Sequence, residues 1–169
     1  MEIVVFLMQV VTILLFIFIM LSKFSIFHKL VLIGGIYGLS YINGEFNDYL
    51  QLTFKHELKN KKLIEANKQK GEKNIYGMPS GYAQYISFYV VLIYLFYANI
   101  NKDSRLFKGK YNYIYYLLIF IVILYIIEFI ICIVNNYHVT LEYVVGSVVG
   151  GIVSYITFII LFLIIGKKD

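Results

Sequence analysis

Two short tracts hold the residues best suited to chemistry. In Tyr137-His138-Val139-Thr140-Leu141-Glu142, the histidine and the glutamate stand four positions apart. On a helix that spacing puts both on one face, where the carboxylate can hold the imidazole in a single tautomer, as a nucleophilic or basic histidine requires. It equally describes an ordinary side-chain pair at a helix start. In Tyr76-Gly77-Met78-Pro79-Ser80-Gly81-Tyr82-Ala83-Gln84, a Pro-Ser-Gly turn opens an apolar run. Such a turn aims backbone N–H groups, a hydroxyl and the positive end of a helix at one point, which suits a phosphate. The same triplet also makes a plain helix start.

The elements that position these tracts follow from composition. Of 169 residues, 60% are hydrophobic and 15% charged, with one proline. Soluble domains are about 45–50% apolar and about 25% charged, so the excess must face lipid. A helix crossing a bilayer needs about 20 mostly apolar residues, and five runs qualify, giving an all-α bundle of about five membrane helices in a single domain, 1–169. The first, Ile3 to Leu21, is read as a retained span, because Glu2 precedes it in place of a basic region and no Ala-x-Ala type site closes it. The second begins near Leu30 and keeps helical apolar spacing to Leu58 while turning polar through Asn43, Glu45, Asn47 and Asp48. The third starts at Pro79, with the proline in the first helical turn, and ends near Asn99; the fourth runs from Tyr113 to Val134 and the fifth from His138 to Ile165.

The 15 basic residues sit between these runs. That distribution marks a multi-pass membrane protein and argues against a nucleic-acid partner. Lys23, Lys29, Lys102, Arg105, Lys108, Lys110, Lys167 and Lys168 fall on one face, whereas seven lysines from Lys55 to Lys73 lie at or within one long hydrophilic loop. The positive-inside rule then puts the C-terminus in the cytosol and the lysine loop on the other side. The single cysteine, Cys132, allows no intrachain disulfide, and no histidine has a second ligand at metal spacing, so neither a metal nor another cofactor is expected. Gly34 with Gly38 and Gly146 with Gly150 form GxxxG pairs assigned to close helix packing. Glu128 is an acid within the fourth apolar run, with no partner evident from spacing to the other ionisable residues.

Together the two tracts resemble the type 2 phosphatidic acid phosphatase family, its dolichyl diphosphatase branch in particular, over roughly Gly38 to Gly151. The family pattern is Lys, six residues, Arg-Pro; then Pro-Ser-Gly-His; then Ser-Arg, five residues, His, three residues, Asp. Lys55 falls on the lysine, Lys62 replaces the arginine and Leu63 the proline. Pro79, Ser80 and Gly81 match, with Tyr82 in place of the histidine. His138 matches the nucleophile, Glu142 replaces the aspartate, and Ile131 and Cys132 replace Ser-Arg.

The resemblance implies a substrate that is a membrane lipid phosphate or a polyprenyl diphosphate. His138 would be the nucleophile, giving a phosphohistidine, with Glu142 orienting it. Lys55, Lys62, Ser80 and the Gly81 amide would form the phosphate cradle, and Tyr82 would be a substitute proton donor. Loss of a general acid costs about 10²- to 10⁴-fold in rate and loss of one preorganised charge-stabilising group about 10²- to 10³-fold. A diphosphate offsets part of this, since its leaving group is itself a phosphate that needs little protonation. The alternative is a catalytically inactive relative with a structural or lipid-organising role, for example in a viral membrane. Neither the lipid nor the oligomeric state is legible in the residues.

Overall fold

The computed structural model describes residues 2–21, 25–54, 65, 78–100, 111–134 and 140–165. Among these the chain is all-helical: α1 (Glu2–Leu21), α2 (Ile26–Phe54), α3 (Gly81–Ile100), α4 (Tyr111–Val134) and α5 (Thr140–Ile165). Three of them, over Gly81–Asn99, Tyr113–Val134 and Thr140–Ile164, are long and apolar enough to cross a membrane. Their outward faces carry Ile123, Ile126, Ile130, Ile152, Ile156 and Phe162, all exposed. A continuous apolar surface of that kind fits a lipid environment and would be a liability in water.

The helix starts are set by local chemistry. Ser25 caps α2, its Oγ accepting from the His28 amide at 3.3 Å and lying 2.7 Å from His28 Nδ1. The helix therefore begins at Ile26, a turn before the expected Leu30, and it is described to Phe54; residues 55–58 lie outside the described residues. Lys29 Nζ donates to the Met20 carbonyl at 2.7 Å, satisfying a C-terminal group of α1. Pro79 is not in the first turn of α3, as its position suggested. Ser80 is the cap, its Oγ accepting from the Ala83 amide at 3.4 Å and its carbonyl from the Gln84 amide at 3.0 Å, so Pro79 precedes the helix.

Helix α3 is the centre of the bundle: it packs along α5 over most of its length and also touches α4 and α2, while α1 closes the side between α2 and α4. The intimacy of α3 with α5 has a steric cause. A Cβ on Gly150 would overlap the Gln84 carbonyl oxygen and Ser87 Oγ, and one on Gly146 would overlap the Ser80 carbonyl and meet the Ala83 Cβ at 3.2 Å. The second expected pair behaves differently: nothing lies within 4 Å of a Cβ at Gly34 or Gly38. The close approach on α2 is made by Gly35, against the Leu161 side chain. A GxxxG pair read from spacing gives no direction, and the face of α2 that meets α5 is one residue round from the one expected.

The main core runs through Leu32, Ile36, Phe88, Leu92, Ile93, Ile121 and Leu161. Phe96 and Phe158 lock α3 to α5 edge to face, with ring centroids 5.6 Å apart. A smaller apolar cluster of Ala83, Cys132 and Tyr143 ties the start of α3 to the end of α4 and the start of α5. That is where the two chemically suggestive tracts meet.

Candidate functional site

Ser80 is fully buried, and its backbone amide donates to the backbone carbonyl of Glu142 at 3.0 Å. One hydrogen bond thus holds the Pro-Ser-Gly turn against the first turn of α5. Gly146, one turn further along α5, supplies the missing side chain that lets the Ser80 backbone come so near. Below this contact Ser87 Oγ donates to the Ser147 carbonyl at 2.9 Å. Ser147 Oγ donates to the Tyr143 carbonyl at 2.8 Å, so the Tyr125 hydroxyl, 2.6 Å from Ser147 Oγ, is the donor of that pair.

From the other side the turn is held by α2. Asn43, Asn47 and Gln51 follow one another at four-residue spacing and therefore share a helix face. Pro79's carbonyl accepts from Gln51 Nε2 at 2.9 Å and from Asn47 Nδ2 at 3.3 Å. The second hydrogen of Asn47 Nδ2 goes to Gln84 Oε1 at 2.8 Å, and Gln84 Nε2 donates to the Asn43 carbonyl at 2.8 Å and to Asn43 Oδ1 at 2.9 Å. Two backbone carbonyls fix the amide orientations, so the network runs in one direction only. In the sequence Asn43 and Asn47 stand in one polar stretch with the acids Glu45 and Asp48. The structure separates them: Asn43 and Asn47 are buried, and Glu45 and Asp48 are exposed. Spacing of four is the signal that the sequence holds for this face, and the intervening acids interrupt it.

Of the residues assigned a role from sequence, Ser80, Gly81, Tyr82 and Glu142 are described. Glu142 is buried, Gly81 and Tyr82 are half-buried in the first turn of α3, and a Cβ at Gly81 would meet Asn47 Oδ1 at 3.2 Å. His138, Lys55 and Lys62 lie outside the described residues. No cluster of histidine, cysteine and acidic side chains able to hold a metal occurs among the described residues.

The position that carries arginine in the family pattern is occupied by a different arrangement. Cys132 is buried and its Sγ donates to Glu128 Oε1 at 2.8 Å, one helical turn back. Glu128 is also buried, and its Oε2 has no hydrogen-bond partner among the described residues. The Tyr143 hydroxyl lies beside the same carboxyl and donates to the Tyr125 carbonyl at 3.3 Å, while its ring stacks edge to face on Phe129 with centroids 4.9 Å apart. The partner of Glu128 is thus a cysteine four residues on, a pairing that a search for ionisable partners overlooks.

The turn, helices α3 to α5 and, from α2, Asn47 and Gln51 lie within the region that a family model, described as the PAP2 superfamily, matches: residues 46–165, more than half of the chain. No curated protein and no solved structure matches the chain.

Proposed function

The chain belongs to the PAP2 superfamily, and from that membership we propose that it is a five-span membrane protein that binds, and slowly hydrolyses, a lipid phosphate or a polyprenyl diphosphate on the non-cytosolic side. Membership itself suggests a lipid-phosphate phosphatase. The observation that carries the finer reading is the 3.0 Å bond from the Ser80 amide to the Glu142 carbonyl. It joins the phosphate-binding turn to the helix that begins just after His138, which the family pattern makes the nucleophile.

In this reading a ring nitrogen of His138 attacks phosphorus as the bond to the leaving oxygen breaks. Glu142 holds the imidazole, and the Gly81 amide, Ser80, Lys55 and Lys62 meet the phosphoryl oxygens. Tyr82 or solvent supplies the proton to the leaving oxygen, and water then cleaves the phosphorus–nitrogen bond. Diphosphates are the better substrates, because a phosphate leaves with little help from an acid.

A second reading is favoured by one observation, the buried Glu128–Cys132 pair at the family's arginine position. A carboxyl beside that position opposes a phosphoryl group where the family pattern has a cation, which suits a protein that keeps the scaffold without turnover. Phosphate release by purified protein from polyprenyl diphosphate and from phosphatidic acid decides between them. Release that disappears in His138→Ala supports the enzyme; no release from either substrate supports the inactive relative; release unchanged in His138→Ala removes the phosphohistidine route.

A further inference from the structure

The Pro-Ser-Gly turn is fixed through one peptide unit. The Pro79 carbonyl and the Ser80 amide belong to the same planar trans group and therefore point in opposite directions. Both ends are held. The carbonyl accepts from Gln51 Nε2 at 2.9 Å and from Asn47 Nδ2 at 3.3 Å on α2, and the amide donates to the Glu142 carbonyl at 3.0 Å on α5. The unit is pinned between two helices, and any rotation of it breaks one set of bonds or the other.

That orientation bears on the donors that the start of α3 can offer. A helix start leaves four amides without an intrahelical acceptor. Of these, the Ser80 amide is spent on Glu142 and the Ala83 amide on Ser80 Oγ, whereas the Gly81 amide has no acceptor among the described residues. Gly81 follows the pinned unit directly, so the direction of its N–H depends on the plane in which that unit is held. A Pro79 carbonyl released from α2 would also be free to turn its oxygen toward an anion at the turn, where it would repel it.

The two α2 side chains that hold the carbonyl are uncharged amides, suited to orienting a backbone group. Asn47 also lies against Gly81 itself, since a Cβ there would meet Asn47 Oδ1 at 3.2 Å. Asn47 is fixed in turn by Gln84 Oε1, and the Gln84 amide nitrogen is bound to Asn43. We infer that Asn47 and Gln51 are positioning residues: by holding the Pro79 carbonyl on α2 they aim the Gly81 amide at a phosphoryl oxygen and keep a carbonyl oxygen from facing it. The inference rests on the reading of the turn as a phosphate cradle, and it assigns the two amides no contact with the substrate.

The test follows the Gly81 amide directly. Ser80-Gly81 is the only Ser-Gly pair in the sequence, so the full chain made by cell-free synthesis with carbonyl-labelled serine and nitrogen-labelled glycine gives a single carbonyl-filtered NMR signal in detergent, that of Gly81. Inorganic phosphate should move this signal in the unmodified protein. In Asn47→Ala with Gln51→Ala the phosphate-free signal should already be displaced, and phosphate should bind about tenfold more weakly. In Gln51→Ala, which leaves Asn47 on the carbonyl, the weakening should be about two- to threefold. Loss of stability alone leaves the signal of the folded protein in place, so the displacement separates positioning from mere support. Thermal unfolding reports whether each variant is folded, and Gln51→Ala carries the test if the double variant is not. Equal affinity in unmodified and variant proteins, or weaker binding with the phosphate-free Gly81 signal unmoved, would overturn the positioning role and leave the cradle standing. A Gly81 signal that phosphate does not move in the unmodified protein would overturn the cradle, and the positioning role with it.

Discussion

The backbone amide of Ser80 is hydrogen-bonded to the backbone carbonyl of Glu142 at 3.0 Å, although the two residues begin different helices. Because the bond is between main-chain atoms, no side-chain substitution removes it directly. It is lost only when α3 and α5 are pushed apart, which makes the glycines of α5 the sensitive positions.

Gly150→Ala and Gly146→Ala should therefore destabilise the protein by about 1–3 kcal/mol each, since a methyl group at either position overlaps α3 backbone atoms. Gly34→Ala and Gly38→Ala, which meet nothing within 4 Å, should be neutral or stabilising by up to about 1 kcal/mol through helix propensity. Thermal unfolding in detergent, followed by circular dichroism, compares all four. Equal losses at both pairs would contradict the packing described here.

The amide network predicts an order of sensitivity. Gln84→Leu strips Asn43 of its donor and Asn47 of its acceptor, and should cost about 1–3 kcal/mol. Gln51→Ala should cost less than about 1 kcal/mol, because Asn47 still donates to Pro79 and Gln51 is only half-buried. The same unfolding measurement checks the order, and a costlier Gln51 change would mean that the turn is held mainly from the end of α2.

Glu128 makes a further prediction about stability. One of its oxygens is buried without a hydrogen-bond partner among the described residues, so Glu128→Leu should leave stability unchanged or raise it by up to about 3 kcal/mol, whereas Cys132→Ala, which takes the partner from the other oxygen, should lower it by about 1 kcal/mol. A marked loss in Glu128→Leu would reveal a partner for that carboxyl in the native membrane.

The same pair governs any attempt to restore the family pattern. An arginine introduced at Cys132 would stand beside the Glu128 carboxyl and be held by it. Tyr82→His with Cys132→Arg should consequently gain little phosphate release. Adding Glu128→Leu should free the guanidinium and raise turnover by about 10²- to 10³-fold, the usual contribution of one charge-stabilising group. No difference between the double and triple variants would place Glu128 out of reach of the phosphoryl group.

The helices were legible in the sequence because apolar runs bounded by charge leave little choice in a bilayer. Bounds for α1 and for the far ends of α3, α4 and α5 fall within a residue or two of those expected. The start of α2 differs because the Ser25 cap outweighs the charge on Lys29, which in the sequence suggests a boundary at Leu30. Within the site, the contact of Ser80 with α5 depends on which glycines face inward, and spacing alone ranks Gly34 and Gly38 equal to Gly146 and Gly150. The amide network was hidden for a related reason. Asn43, Asn47 and Gln51 read as part of a hydrophilic transition, and only the fold shows that their common face is turned inward while the neighbouring acids are exposed.

The bond between Ser80 and Glu142 also bears on how the protein is made. Ribosomes release a chain from its N-terminal end, so α3 leaves the tunnel well before α5. Until α5 is in place the Ser80 amide lacks its acceptor, and the small residues on α3 have no glycine face to pack against. During biogenesis, then, the contact between the turn and α5 closes only with the arrival of α5, and a nascent chain halted before residue 140 carries the Pro-Ser-Gly turn without that partner.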